Sequence, residues 1–152
     1  MKAVVALGAN LGEPRKQVAF AIELIKDLMD VVATSSFYET EPVGVPDEQP
    51  NYINAIVIGQ SDLNSEDLMR ALLTVEAKLG RQRSFPNAAR TIDIDLIDYG
   101  GQVIQSEFLT LPHPRAHERN FVIEPWFEID PHGVLAGKGE VSRLLAELNE
   151  AK

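Results

Sequence analysis

Arg90 to Gly100 reads RTIDIDLIDYG, and two of its acids fall inside the alternation of a half-buried strand. Ile92, Ile94 and Leu96 mark one face by their period of two, so Asp93 and Asp95 share the other. Carboxylates at i and i+2 on a strand stand roughly 6 to 7 Å apart, close enough to repel unless a cation, arginines or water relieves them. Basic residues are near in sequence: Arg81 and Arg83 follow a helical stretch, Arg90 precedes the acids, and Arg119 lies in a later loop. The chain has no cysteine. A carboxylate pair without thiolates favours a hard cation, Mg²⁺ above all, which takes a few carboxylates together with phosphate oxygens. Acids, arginines and such a cation are the chemistry of a metal-bound polyphosphate. Two plainer readings stand beside it: an edge strand whose acids discourage aggregation, and a surface network of ion pairs.

Other polar residues allow more than one role. Tyr52 and Asn54 share a strand face and can present a ring and an amide to a planar heterocycle, with Phe121 closing the other side; equally, Tyr52 and Phe121 are core or rim residues. Glu76 lies opposite the apolar face formed by Leu72, Val75 and Leu79, as a solvated helix acid or as a reach toward a ligand. Gly8 to Gly12, GANLG, lacks the Gly-Lys-Ser/Thr ending of a phosphate loop and reads as a turn. His113 and His117 have i,i+4 spacing, but Pro112 and Pro114 oppose a helix there, which argues against zinc and leaves His113 to a phosphate or to solvent. Trp126 and Phe127 are assigned to the core.

These residues need elements to hold them. Ala3 to Leu7 is a continuous apolar run that fits a buried strand, broken at Gly8. Pro14 opens a helix whose Val18, Ile22, Ile25 and Met29 recur at helical spacing. Val31 to Tyr38 reads as a second strand, and Glu39 to Pro50, with Pro42, Gly44, Pro46 and Pro50, as a long loop. Tyr52 to Ile58 alternates as a third strand. Asn64 or Ser65 caps a helix carrying Leu68, Leu72, Val75 and Leu79, which Gly80 ends. The acid-bearing stretch is the fourth strand. This order predicts an α+β fold, a ferredoxin-like βαββαβ antiparallel sheet with helices on one face and the other face open, followed by C-terminal additions: a Val103–Ile104 strand, a Phe121–Ile129 segment and a helix near Val141–Leu148.

With 152 residues the chain fits one domain, 1–152. A formal net charge of -9 argues against nucleic-acid and anionic-membrane partners, which are bound through clustered Lys and Arg. No apolar run approaches membrane-spanning length, and the absence of cysteine suits a reducing compartment, so a cytoplasmic monomer is expected.

Taken together, GANLG, SSFYETEPVG, QPNYINAIV, GRQRSF, RTIDIDL and LPHPRAHERNFVIEP, running from Gly8 to about Ile129, resemble the 6-hydroxymethyl-7,8-dihydropterin pyrophosphokinases of folate biosynthesis. The resemblance implies Mg²⁺-dependent transfer of the β,γ-pyrophosphoryl group of ATP to the pterin hydroxymethyl, with AMP as the other product. It implies that Asp93 and Asp95 hold two Mg²⁺ ions. Arg81, Arg90, His113 and Arg119 match nucleotide-phosphate contacts, with Arg81 and Arg90 grouped with the aspartates as catalytic, and Glu76 matches a polar contact at the nucleotide. Thr40, Val43, Tyr52, Asn54 and Phe121 match the pterin pocket, where Tyr52 and Phe121 stack on the ring and the others read its edge. The loops Glu39–Pro50 and Arg83–Ala89 correspond to segments that close over substrate. Many members carry Arg-Trp-Gly-Pro before the signature arginine; here Ser84 to Ala89 replaces it, which leaves the residue that caps the pterin open, with Phe85 as a candidate. Pro114 replaces a tyrosine found after the Pro-His pair in some members.

Two other classes compete. A non-catalytic ferredoxin-like module binding a small ligand or single-stranded RNA would need basic residues around its aromatics, where this face has Asp93 and Asp95. A two-metal nucleotidyl transferase would use the same aspartates but release pyrophosphate.

Overall fold

The computed structural model describes residues 1–42, 50–80 and 92–151. Five strands form one antiparallel sheet: β1 (Lys2–Ala9), β2 (Asp30–Thr34), β3 (Tyr38–Thr40), β4 (Tyr52–Gln60) and β5 (Asp93–Tyr99). Their order is β2-β4-β1-β5, with β3 also paired to β4. Helix α1 (Pro14–Ile25) joins β1 to β2, and α2 (Ser65–Gly80) joins β4 toward β5. As the sequence suggests, Pro14 opens α1, and Asn64 caps α2 by accepting the Asp67 N–H at 2.9 Å. After β5 come a small ribbon of β6 (Ile104–Gln105) and β7 (Thr110–Leu111), then a 3-10 turn at Ala116–Glu118 and helix α3 (Asn120–Ile129). A second ribbon of β8 (Val134–Leu135) and β9 (Gly139–Glu140) leads to α4 (Val141–Glu150).

Two cores lie on opposite sides of the sheet. Val5, Leu7, Ala55, Val57, Ile94 and Leu96 pack against Val18, Ile22 and Ile25 of α1 and Leu68, Leu72 and Val75 of α2. Val4, Ile56, Ile58 and Ile97 pack against Val122, Ile123 and Trp126 of α3 and Val141 and Leu144 of α4. The expectation of an open second face is therefore corrected: that face carries its own apolar row, and leaving Ile56 and Ile58 in water would forfeit about 2 kcal/mol each. Only the end of the face bearing polar residues lies outside this second core.

Three boundaries also differ from the sequence reading. Gly8 and Ala9 belong to β1 and not to a turn, since both pair with Asn54 and Ile53 on β4. The strand expected over 31–38 is two strands, and Glu39 and Thr40, expected in a loop, lie in β3. The slip between β2 and β3 along their common partner β4 is the cause. Asp98, the third acid of the signature stretch, is buried and serves the fold: it accepts the N–H groups of Gly101 at 3.0 Å and Ala136 at 3.1 Å.

Candidate active site

The polar end of the second face is built from rows of residues across the sheet. Gly8 stands opposite Asn54 on β4 and opposite Asp93 on β5; Ala6 stands opposite Ile56 and Asp95. At one strand spacing per step, Asn54 and Asp93 are roughly 10 Å apart with only glycine between them. A Cβ at position 8 would sit 3.1 Å from Asn54 Oδ1, so the bare backbone of Gly8 is what leaves the shelf clear. Ile94, wholly buried on the other side, confirms that Asp93 and Asp95 share this face. Asp93 is exposed and Asp95 half-buried.

Strand β5 is an outer strand, so some of its N–H groups point off the sheet. Glu76 on α2 takes that of Ile94 on Oε2 at 2.8 Å. The helix acid is thus tied to the backbone between the two aspartates, where the sequence alone left both a solvated acid and a reach toward a ligand open.

At the other end of the row, Asn54 is buried and its Nδ2 donates to Thr40 Oγ1 at 2.7 Å. Tyr52, half-buried, pairs with Thr40 across the ladder. The face predicted to carry Tyr52 and Asn54 is the observed one. Beside them Glu128 of α3 accepts from Ser36 and from the Tyr38 hydroxyl. Burial would raise the Glu128 carboxyl, but the Ser36 and Tyr38 hydrogen bonds outweigh it and leave it below the ordinary range. Burial and the same pairing push Tyr38 up to about 12, so near neutrality the phenol donates and the carboxylate accepts.

His113 and Arg119 come from the segment between β7 and α3. The His113 backbone N–H donates to Ile97 O at 2.9 Å, which pins the loop against β5. Its Nδ1 accepts the Arg115 N–H at 3.3 Å, placing the proton of the neutral ring on Nε2. Burial lowers the His113 pKa; Asp95 opposes this, and Arg119 and Arg115 reinforce it. The net result is a neutral imidazole with a free-standing donor near Asp95. The Arg119 guanidinium lies over the Phe121 ring at 5.6 Å, and Phe121 is 38% exposed at the start of α3.

The structure therefore brings Asp93, Asp95, His113, Arg119, Phe121, Tyr52, Asn54 and Thr40 to one face and its border. Val43, Arg81, Arg90, Phe85, most of the Glu39–Pro50 loop and the whole Arg83–Ala89 loop lie outside the described residues. Sequence reasoning missed Gly8 and Glu128. The first had a signal, a glycine ending an apolar run; the second stands far along the chain from the strand it serves.

Among the described residues no group of three or more His, Cys, Asp or Glu side chains could hold a metal by itself. Asp93 and Asp95 thus fit a hard cation that completes its shell with phosphate and water, and do not fit an all-protein cage. A cavity of about 510 Å³ lies elsewhere, at the start of α1, lined by Glu13, Arg15, Lys16, Glu39, Asn51 and Ile53. It contains neither aspartate, so the sheet face and not this cavity is taken as the site. Among the described residues no helix is long and apolar enough to cross a membrane.

Residues 4–131 match the family described as 7,8-dihydro-6-hydroxymethylpterin-pyrophosphokinase. The chain is 38% identical over 152 residues to 2-amino-4-hydroxy-6-hydroxymethyldihydropteridine pyrophosphokinase of Haemophilus influenzae, covering 99% of this chain and 94% of that one. The protein of the same name from Pseudomonas aeruginosa is 34% identical, with 93% and 88% covered. The folate synthesis bifunctional protein of Arabidopsis thaliana is 37% identical over 83% of this chain, which spans 26% of that longer protein. Among solved structures, an HPPK-DHPS in complex with substrates superposes with a TM-score of 0.77 at 11% identity, over 99% of this chain and 44% of that one, a likeness of fold. On the strength of the family match and of relatives similar over nearly their whole length, this chain belongs to the 7,8-dihydro-6-hydroxymethylpterin-pyrophosphokinase family.

Proposed function

We propose that this pyrophosphokinase of folate biosynthesis takes ATP and 6-hydroxymethyl-7,8-dihydropterin as substrates and forms the pterin diphosphate and AMP. In that reaction the hydroxymethyl oxygen bonds to the β-phosphorus, the bond from that phosphorus to the oxygen shared with the α-phosphate breaks, and the hydroxyl proton is lost. The observation that carries the reading is the Asn54–Gly8–Asp93 row, with an amide at one end of a clear shelf and carboxylates at the other.

Each residue has a task on that shelf. Asn54, Thr40 and the Val43 backbone read the hydrogen-bonding edge of the pterin, while Tyr52 and Phe121 take its two faces. Asp93 and Asp95 hold two Mg²⁺ ions. When bound, these neutralise the phosphates and the charge that develops on the transferring group. His113 donates from Nε2 to a phosphate oxygen, and Arg119, with Arg81 and Arg90, supplies positive charge there. Glu76 contributes a polar contact at the nucleotide.

The strand order β2-β4-β1-β5, with α1 and α2 packed on one side, supports reading the core as ferredoxin-like. We read residues 1–152 as one pyrophosphokinase domain, acting as a cytoplasmic monomer on small molecules and not on nucleic acid. The acidic face supports that last point against RNA binding.

The test is product identity. Purified protein, ATP, Mg²⁺ and the reduced hydroxymethylpterin should yield AMP and pterin diphosphate in equal amounts. A pterin carrying the nucleotide, with free pyrophosphate released, would establish nucleotidyl transfer instead, and no turnover would leave the binding-module reading.

A further inference from the structure

Strands β2 and β3 lie along the same partner, yet they are not in the same register. From Thr34 to Tyr38 the chain advances four residues while β4 advances three, from Val57 to Asn54. The extra residue is a bulge, and a slip of one residue turns every later side chain to the opposite face. Without it, Phe37 would oppose Asn54 and Glu39 would oppose Tyr52, and Thr40 would point into the α1/α2 layer. The bulge therefore decides whether Thr40 meets Asn54 at all.

A bulge leaves backbone groups without ladder partners. Ser35 is served locally, its N–H donating to Ile56 O at 2.9 Å and its Oγ accepting the Ile56 N–H at 2.8 Å. Ser36 is served from outside the sheet. Its N–H lies 3.1 Å from both carboxylate oxygens of Glu128, and its hydroxyl donates to Oε2 at 2.8 Å. The Tyr38 hydroxyl donates to Oε1 at 2.8 Å. Glu128 also stands seven residues after Phe121 on α3, close to two full turns, so the two side chains share one helix face. One carboxylate thus joins the strand that carries Thr40 to the helix that carries Phe121.

We infer that Glu128 is the positioning residue of the pterin pocket: it anchors the β2–β3 bulge and so fixes both the Thr40–Asn54 edge and the distance from that edge to Phe121. It touches no substrate and acts through those three residues. The inference rests on the pterin reading given above. It predicts a loss concentrated on one substrate, because Asp93, Asp95 and His113 stand on β5 and the loop after β7, which Glu128 does not touch, and of the described phosphate contacts Arg119 alone adjoins α3.

The experiment is steady-state kinetics of the whole chain with each substrate varied in turn, alongside calorimetric binding of the pterin. Glu128→Ala should raise the pterin KM by about tenfold while moving the ATP KM less than about twofold. Glu128→Gln keeps an oxygen acceptor for Ser36 and should recover most of the loss. Tyr38→Phe removes one bond of the strap without touching the backbone and should raise the pterin KM by about threefold. Equal losses for ATP and pterin, or a pterin KM unmoved in both Glu128→Ala and Tyr38→Phe, overturn the inference. Should Glu128→Ala fail to fold, Glu128→Gln and Tyr38→Phe decide alone, on the same split between substrates. Wild-type protein that makes no AMP contradicts the functional reading itself, and pterin calorimetry on the same variants then still ranks them.

Discussion

Gly8→Ala separates the fold from the site, because the two respond in opposite directions. Gly8 lies inside β1 with an ordinary strand backbone; the positive-φ glycines among the described residues are all elsewhere. Alanine is therefore unstrained at this position, and by reducing the freedom of the unfolded chain it should stabilise the protein by about 0.5 kcal/mol. The added Cβ, however, meets Asn54 Oδ1 at 3.1 Å, so that amide must retreat by a few tenths of an ångström. Asn54 is buried and held to Thr40 at 2.7 Å, so its retreat displaces the amide that faces the pterin edge. A hydrogen bond to the pterin edge that is bent or stretched by this amount forfeits about 1 kcal/mol, or about fivefold in the pterin KM. Urea denaturation and kinetics with each substrate varied measure the two effects on one preparation. An unchanged pterin KM would refute the placing of Asn54 against Gly8, and a variant less stable than wild type by more than about 1 kcal/mol would contradict the claim that the amide gives way to the new Cβ.

Asp98→Ala should destabilise the protein by about 2 to 3 kcal/mol in urea, since it strands the Gly101 and Ala136 N–H groups in a buried site, and a loss below about 0.5 kcal/mol would contradict that role. The acid limb of stability should depend on the Lys2–Asp130 pair, 2.6 Å apart. Burial raises the Asp130 carboxyl, but hydrogen bonds from Lys2 and Trp126 and the Lys2 charge prevail and hold it below its ordinary value of 3.8. A depressed carboxyl contributes stability that is complete above the unfolded value and is lost as pH falls through the folded one. Wild type should therefore lose stability more steeply than Lys2→Met as pH drops below 3.8, and parallel curves would contradict the pairing.

Much of this molecule is legible in its sequence, and the places where it is not have physical reasons. The alternation of Ile92, Ile94 and Leu96 placed Asp93 and Asp95 on one face because a strand with a buried side permits no other register. Helical spacing placed the apolar faces of α1 and α2 for the same reason. The second core was within reach of the sequence, since Ile56 and Ile58 share the face of Asn54 and the first strand is apolar on both sides, the mark of a strand covered twice. What covers it, α3 and α4, follows only from tertiary packing. Tyr38 illustrates the opposite case. Its β-propensity extends the second strand in the sequence, but a single inserted residue breaks that strand, and the group that supports the break, Glu128, lies 90 residues from Tyr38. Local pattern carries no information about so distant an anchor. Alternation alone would turn Asp98 to the face of Ile94 and Leu96; the slip in β5 pairing between Val4 and Val5 sets it opposite Val4 instead, on the second-core side, which the sequence pattern cannot foresee.

The central claim is that Asp93 and Asp95 hold the divalent ions of the phosphate site. Counting bound Mn²⁺ by electron paramagnetic resonance, with a non-hydrolysable ATP analogue and pterin present, tests it most directly. Wild type should bind two ions per chain, and a folded Asp93→Asn, Asp95→Asn double variant should bind them at least about a hundredfold more weakly. The same two ions at unchanged affinity in the double variant would contradict the account.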